Sequence, residues 1–314
     1  MSRTAILFAS DLHGSNSCFI KLIAAAKETR PSCVAIGGDL SGKELVLIQR
    51  NVGGYRALIE GREEAIANDG SLRDFRKHLG DHGYYTHVLD GDTRASELSD
   101  DERATVKRSS IRKRLQQWSA FAEAELSSFG IPVFLVPGND DPLDIGDDIS
   151  VSPAIVNVED KFVALDEYRV GGLGYSNVTP WHCPRELSES EIKERLARIF
   201  REVEDPRRVV LLCHVPPYAS GLDIAPELVQ DEGGELELVA GGESFVGSTA
   251  LREVVEEQQP LLVLSGHCHD SPGFQHLGST LCVNAGSSYG RGVLRMAWLV
   301  LDGGQVCGYQ MLMR

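Results

Sequence analysis

The alternation of apolar and polar stretches predicts that the chain opens with a strand, a helix and a second strand. Thr4–Ala9 is a short apolar run, and the apolar positions that follow recur with helical spacing until Pro31. Cys33–Ile36 is the second apolar run. Asp11 and Asp39 follow the two predicted strands and are separated by about one βαβ unit. A right-handed crossover places both strand ends at the same edge of a parallel sheet, where α/β proteins bind ligands.

A third apolar run of this kind appears only at residues 131–136. Since one βαβ unit takes roughly 30 residues, the longer gap before this run indicates an insertion. We interpret residues 41–125 as an inserted, mainly helical cap, whose last helix is predicted by apolar residues on one face from Ile111 to Leu126. The polar stretch 69–101 predicts no definite secondary structure.

The second half of the chain predicts further αβ units and then a series of strands. A capping-box pattern at Ser188 and Glu191 opens a helix, and strand-like and helical runs alternate after it. The acidic, glycine-containing segment 216–247 predicts a long loop. This order predicts an α/β fold, with two mixed sheets packed together and flanked by helices, in a single domain over residues 1–314.

Composition and charge limit the classes of protein to which the chain can belong. Hydrophobic residues make up 42% and charged residues 25% of the 314 positions, as in globular proteins. The formal net charge of −15 disfavours long nucleic acid as a partner. The seven cysteines are scattered without a C-x-x-C pair, which argues against a disulfide framework. No run approaches the ~20 apolar residues of a membrane span, so we expect a cytoplasmic protein; nothing in the pattern predicts an oligomeric state.

Five polar blocks directly follow predicted strands and carry side chains that bind metals. They are Asp11-Leu12-His13-Gly14, Gly38-Asp39, Gly138-Asn139-Asp140, Cys213-His214 and Gly266-His267-Cys268-His269. Side chains at several strand ends of one sheet edge converge on one point, and adjacent glycines let the backbone turn tightly around it. Each block alone is typical of an ordinary polar loop. The ordered set of five predicts one shared metal site.

In this order the blocks D-x-H, G-D, G-N-D, a lone His and G-H-x-H resemble the calcineurin-like metallophosphoesterase family, from Asp11 to His269. The stretch 261–291 is similar to small stand-alone bacterial and archaeal members. The resemblance implies a four-layer αββα sandwich with a two-metal site at the strand ends. It implies a first metal held by Asp11, His13 and His269, a second held by Asn139, His214 and His267, and Asp39 as the bridge between them.

The resemblance also implies a hydrolase that cleaves a phosphomonoester or phosphodiester of a small phosphorylated substrate, with a metal-bridging hydroxide as the nucleophile. Such mixed ligands without thiolate favour Mn, Fe, Zn, Co or Ni. Two such ions activate the bridging water and stabilise an in-line transition state. Two alternatives stay open: a metal-bound regulatory or scaffolding protein with vestigial phosphatase activity, and a nuclease acting on nucleic-acid ends.

Position 140 departs from the family pattern. Many members carry a histidine directly after the asparagine, where it is thought to protonate the leaving group, and this chain has Asp140. Two nearby cations would favour its ionised form, so we interpret Asp140 either as a general acid or as a solvated neighbour of the ligands. Arg108, in a basic run of the insertion, and His182 and Arg291, on predicted loops, are candidate substrate contacts.

Overall fold

Two six-stranded sheets form the centre of the fold in the computed structural model, which describes residues 3–89, 95–149, 154–230 and 236–314. The strands are β1 (Thr4–Ala9), β2 (Cys33–Ile36), β3 (Leu45–Asn51), β4 (Gly54–Ile59), β5 (Arg62–Ile66), β6 (Tyr85–Val88), β7 (Val133–Leu135), β8 (Ile155–Asn157), β9 (Phe162–Leu165), β10 (Tyr168–Leu173), β11 (Ser176–Asn177), β12 (Glu186–Leu187), β13 (Val209–Cys213), β14 (Ile224–Gln230), β15 (Leu236–Phe245), β16 (Leu262–Ser265), β17 (Gly273–Leu277), β18 (Thr280–Asn284), β19 (Arg295–Asp302) and β20 (Gln305–Met313). The helices are α1 (Asn16–Thr29), α2 (Asp69–Asp81), α3 (Asp100–Leu126), α4 (Ile145–Ile149), α5 (Glu189–Phe200) and α6 (Thr249–Gln258).

Both large sheets are mixed, as the sequence predicted. The first has the order β20-β19-β1-β2-β7-β8 and the second has the order β17-β18-β16-β13-β10-β9. Strands β1, β2, β7 and β8 are parallel to one another, and so are β10, β13, β16 and β18. The remaining strands run antiparallel to their neighbours at the sheet edges. Each sheet therefore contains four parallel strands, whose carboxyl ends lie on the same side of the sheet.

The side-chain alternation of the strands builds four layers. Phe8 of β1 and Leu212 of β13 lie in the core between the two sheets. Leu7, the neighbour of Phe8, points to the opposite face and packs with residues of α1 and α3. Leu211 of β13 similarly packs with residues of α5 and α6, and α5 begins at the capping box predicted for Ser188. The αββα sandwich is therefore confirmed.

The insertion contains a four-stranded sheet, of order β5-β4-β3-β6, that the sequence pattern did not predict. Its inward side chains form a small core of their own that includes Ile48 and Tyr55. Strand β5 gave no strand signal because its first four residues are exposed and three of them are charged. Helix α2 and strand β6 occupy part of the stretch 69–101, for which no definite structure was predicted.

Helix α3 carries the predicted apolar face and links the insertion to the sandwich. Its residues Ile111, Leu115 and Trp118 are buried in the core between the first sheet and α1. The Trp118 ring stacks on Phe19 of α1 with centroids 4.3 Å apart. Helices α2 and α3 lie within the range 41–125 of the expected insertion, apart from the last residue of α3. The second half of α3 packs with the outer helical layer of the sandwich.

Replacing Trp118 by alanine should lower the free energy of unfolding by about 3–5 kcal/mol, because the change leaves a large cavity against Phe19. The indole nitrogen would also lose its hydrogen bond to Asn16 Oδ1, at 2.8 Å. Chemical denaturation measures the loss. Gln117→Ala, at the exposed neighbouring position, is the matched control and should change stability by less than about 0.5 kcal/mol. Equal effects of the two substitutions would place α3 outside the core.

The acidic segment 216–247 contains two paired strands, so the prediction of a long loop was wrong. Strands β14 and β15 pair antiparallel, with a register shift between Pro226 and Leu228. Pro226 in β14 and Gly241 and Gly242 in β15 are residues that are unusual within strands, and they interrupt the strand pattern of the sequence.

The cysteines are free thiols, and five of them are buried. Buried cysteines of this kind act as small apolar residues that fill the core. Within the described ranges, no helix is both long enough and apolar enough to cross a bilayer.

Candidate metal centre

The carboxyl ends of five strands bring the predicted ligand residues to one edge shared by the two sheets. The residues follow β1 (Asp11, His13), β2 (Asp39), β7 (Asn139), β13 (His214) and β16 (His267, His269). Strands β1, β2 and β7 are adjacent in the first sheet, and β13 and β16 are adjacent in the second. The structure therefore brings all seven side chains together, as the order of the blocks predicted.

Four of these residues have a backbone conformation that is uncommon outside glycine. Their φ angles are positive: Asp11 (55°), His13 (41°), Asp39 (50°) and His267 (65°). Hydrogen bonds between the loops hold this conformation, with Asp11 N donating to Gly38 O at 3.0 Å and His13 N donating to Asp39 O at 2.8 Å. Backbone strain of this kind clusters at ligand and active sites, so its position here points to a functional centre.

Two glycines let the loops come close to the ligand side chains. A Cβ atom at Gly138 would collide with the Asp39 carboxylate, and one at Gly38 would collide with the His214 ring. Gly38 also has a φ of 106°, which side-chain-bearing residues rarely adopt. These close contacts explain why the G-D and G-N motifs have glycine at positions 38 and 138, where any side chain would collide with a ligand residue.

The first group of ligand-type atoms gathers around His13. Its Nε2 atom lies 3.1 Å from His269 Nε2 and 3.4 Å from Asp39 Oδ2. His269 Nε2 in turn lies 3.4 Å from Asp11 Oδ1. Two imidazole nitrogens and two carboxylates thus converge on one small volume.

The second group gathers around the amide oxygen of Asn139. Asn139 Oδ1 lies 2.8 Å from His214 Nε2 and 3.0 Å from His267 Nδ1. His214 Nε2 also lies 3.5 Å from Asp39 Oδ1. Asp39 therefore turns one carboxylate oxygen toward each group.

Hydrogen bonds behind the ligands fix their orientation. His214 Nδ1 lies 2.7 Å from Gly37 O. When Nδ1 carries the proton and donates it to this carbonyl oxygen, the lone pair of Nε2 is free to bind a metal. The backbone N–H of His267 donates to both oxygens of Asp11, at 3.1 Å each.

Burial and neighbouring groups set the protonation states of His13, His267 and Asp11. Burial lowers the pKa of both His13 and His267 to about 4. Both rings are then neutral near pH 7, which is the form that binds metals. Burial disfavours ionisation of Asp11, but the hydrogen bond and charge of His269 outweigh it and lower the Asp11 pKa to about 2.

The Asp39–His214 pair carries opposite charges in the core. Burial disfavours both charges, but the proximity of His214 and His13 holds the pKa of Asp39 far below its usual value. Asp39 likewise outweighs burial at His214 and raises its pKa to about 10. Two buried carboxylates, Asp11 and Asp39, therefore require a compensating positive charge, and a divalent metal would release the His214 proton and supply that charge instead.

The chemistry of the donor set fits a metal site. Ligating atoms of Asp11, His13 and His269 lie within 4.8 Å of one another, and so do those of Asp11, Asp39 and His214. Carboxylate, imidazole and amide donors suit borderline divalent ions. The clustered groups are thus suited to hold divalent metals, as the sequence predicted.

Asp140 lies at the edge of this cluster. Its backbone N–H donates to Asp39 Oδ1 at 3.0 Å. Its carboxylate accepts a hydrogen bond from the Cys183 thiol, at 3.1 Å to Oδ1, and pairs through Oδ2 with the Lys43 ammonium group. Both oxygens act as acceptors, which is the arrangement of an ionised carboxylate.

The three candidate substrate contacts lie apart from the ligand atoms. Arg108 forms ion pairs with Asp144, at 2.8 Å, and with Asp148, at 2.5 Å, so its charge is already balanced. His182 is exposed on the loop that carries Cys183, and Arg291 is exposed. Their contact with a substrate stays a prediction.

Two residues that sequence reasoning missed complete the centre. Asp141 is fully buried and accepts hydrogen bonds from the backbone N–H groups of Leu40, Ser41 and Gly138, at 2.8–3.0 Å, which ties the Asp39 loop to the Asn139 loop. Burial and the Asp39 charge raise the Asp141 pKa to about 6. The second residue is Tyr289, whose ring centroid lies 4.5 Å from that of His13. The second aspartate of Asn139-Asp140-Asp141 was the available signal for Asp141, whereas Tyr289 gave none.

Comparisons with known proteins identify the family of the chain. The family model described as calcineurin-like phosphoesterase matches residues 4–271. The uncharacterized protein MJ1162 of Methanocaldococcus jannaschii is 29% identical over 163 residues, 51% of this chain and 66% of that protein, just under two thirds of its length. The crystal structure of TT1561 of Thermus thermophilus superposes with a TM-score of 0.53 at 15% identity, covering 99% of each chain, which shows a shared fold. Because the family match extends over most of the sequence, the chain belongs to the calcineurin-like phosphoesterase family.

Proposed function

We propose that the chain is a dinuclear-metal phosphoesterase that hydrolyses a phosphomonoester or phosphodiester. The observation that carries this proposal is the position of Asp39, whose two carboxylate oxygens face two separate groups of ligand-type atoms. A single metal would need only one of these groups. Family membership supports the reaction class.

The residues of the chain divide naturally between two ions. Asp11, His13 and His269 would hold the first, Asn139, His214 and His267 would hold the second, and Asp39 would bind both. When bound, two ions of Mn, Fe, Zn, Co or Ni supply an activated water and stabilise charge on the phosphoryl group. The hydrogen bond to Gly37 O and the backbone contacts to Asp11 keep the ligands oriented before any metal binds.

We also propose a small phosphorylated substrate and a cytoplasmic location. The net charge of −15 would repel a long polyanion. The free thiols suit a reducing compartment.

Hydrolysis of nitrophenyl esters by the metal-loaded protein tests the function. We expect release of nitrophenolate from 4-nitrophenyl phosphate or bis(4-nitrophenyl) phosphate, loss of this activity after chelation, and its return when metal is added back. Nitrophenyl esters should react much faster than alkyl esters, because Asp140 is held as an acceptor and gives the leaving group no proton. Absence of hydrolysis with each of the five metals would contradict the proposal.

A further inference from the structure

Lys43 lies beside the metal centre and has no place in the ligand set. It follows Asp39 by four positions, and its ammonium group pairs with the Asp140 carboxylate. Asp140 is itself fixed by its backbone hydrogen bond to Asp39 and by the thiol of Cys183. The lysine is thus attached through one residue to the proposed bridging ligand.

The ion pair lies where the centre meets solvent. The side chains of His13, Asp11 and His214 are completely buried, and that of Asp39 is 4% exposed. In contrast, the side chain of His269 is 31% exposed. Asp140 and Lys43 are 16% and 49% exposed, respectively. Lys43 and Asp140 therefore lie on the solvent side of the buried ligand groups.

The position of Asp140 places this charge close to the reacting region. One of its carboxylate oxygens lies within 4.8 Å of ligating atoms of both His13 and Asp39. The ammonium group that pairs with it is a compact cation with three N–H donors and is charged at neutral pH. With three N–H donors, the ammonium group can pair with Asp140 and donate to a phosphoryl oxygen at the same time.

We propose that Lys43 is a substrate-binding residue that donates to a non-bridging phosphoryl oxygen, that Asp140 is its positioning residue, and that the pair makes the site prefer phosphomonoesters to phosphodiesters. This inference rests on the proposed function. A monoester carries nearly two negative charges near neutral pH, whereas a diester carries one. An additional cation therefore stabilises the bound monoester, and its transition state, more strongly.

Substitutions that separate charge from structure test the proposal. Lys43→Met removes the charge and keeps a similar length, whereas Lys43→Arg keeps the charge. The matched control is Lys193→Met on α5, since Lys193 is 47% exposed and pairs with Glu253 at 2.6 Å. Each Mn²⁺-loaded variant is assayed on 4-nitrophenyl phosphate and on bis(4-nitrophenyl) phosphate. Metal content and binding of inorganic phosphate by calorimetry are measured on the same samples.

We expect Lys43→Met to lower kcat/KM for the monoester by about 100-fold, the effect of removing one donor to a charged transition state. The loss for the diester should be less than about tenfold, and metal content should not change. Lys43→Arg should retain most of the monoester activity, and Lys193→Met should match the parent protein. Asp140→Glu keeps the negative charge but moves the carboxylate away from its present position, so it should shift the monoester-to-diester ratio in the same direction as Lys43→Met, mainly through KM.

Failure of this inference and failure of the proposed function are distinguishable. If the parent protein hydrolyses esters and Lys43→Met lowers both substrates equally or not at all, the role of Lys43 is wrong and the proposed function stands. If the parent protein hydrolyses neither ester, the proposed function fails. The calorimetric measurement of phosphate binding then tests whether Lys43 binds a phosphoryl group. Phosphate binding weakened about tenfold or more in Lys43→Met, with unchanged metal content, supports the lysine site. Equal phosphate binding, or none in either protein, overturns it.

Discussion

Replacing Asp39 by alanine should reduce phosphoester hydrolysis by more than the 10–100-fold that loss of an outer hydrogen-bond partner of a metal site costs. The bound metal should fall from about two ions per chain to one or fewer. The reason is geometric, because Asp39 Oδ2 faces His13 and Asp39 Oδ1 faces His214, so one substitution weakens both groups. Metal analysis after gel filtration and steady-state kinetics measure the two effects.

A terminal ligand provides the comparison for this result. His269→Ala removes a side chain that contributes to the first group only, so its loss of activity should be smaller and one ion should remain bound. His276→Ala, at an exposed position of β17, controls for removal of an imidazole and should leave activity and metal content unchanged. Full activity in Asp39→Ala would refute the assignment of this centre.

The sequence predicted the positions of Asp11 and Asp39 because two patterns agree. The apolar runs indicate where the strands end, and the spacing between the runs indicates how the strands are connected. Strands β1 and β2 are buried almost throughout, so they appear as short continuous apolar runs that end abruptly at Asp11 and Asp39. The connection between them has the length of one βαβ unit, and this fixes the shared edge. The family resemblance then supplied the division of ligands into two groups.

Strand β5 of the insertion could not be predicted in the same way. The apolar start of β3 and the alternation of exposed and buried residues in β4 were available signals that the interpretation as a mainly helical insertion did not use. In β5, Arg62 and its next three residues are exposed. A strand that buries so few residues carries too little apolar signal to be distinguished from a polar loop. In the paired strands β14 and β15 the signal was instead interrupted by Pro226 and by Gly241 and Gly242.

The contact between Lys43 and Asp140 has no local signal either. The two residues lie on loops almost 100 positions apart and meet only because β2 and β7 are neighbours in the first sheet. In the sequence, Lys43 looks like an ordinary exposed lysine and Asp140 looks like a missing histidine. In the folded structure the two residues form an ion pair at the edge of the metal centre.

Metal binding should also stabilise the folded protein. At a free metal concentration 100 times the dissociation constant, a single site raises the free energy of unfolding by about 2.7 kcal/mol. The physical source is the pair of buried carboxylates, Asp11 and Asp39, whose negative charge a divalent ion compensates. Denaturation of the Mn²⁺-loaded and the chelated protein should therefore show a higher midpoint with metal.

Two variants make this measurement specific. Asp39→Asn removes the shared negative charge with little change in shape, so its stability should depend much less on Mn²⁺. Trp118→Ala, which lies in the core with residues of α1 and the first sheet, should be less stable overall and yet gain as much from Mn²⁺ as the parent protein, because the substitution keeps all seven ligand residues. If the parent binds two ions without any shift in its midpoint, the ions bind the unfolded chain equally well, and the preformed centre described above is excluded.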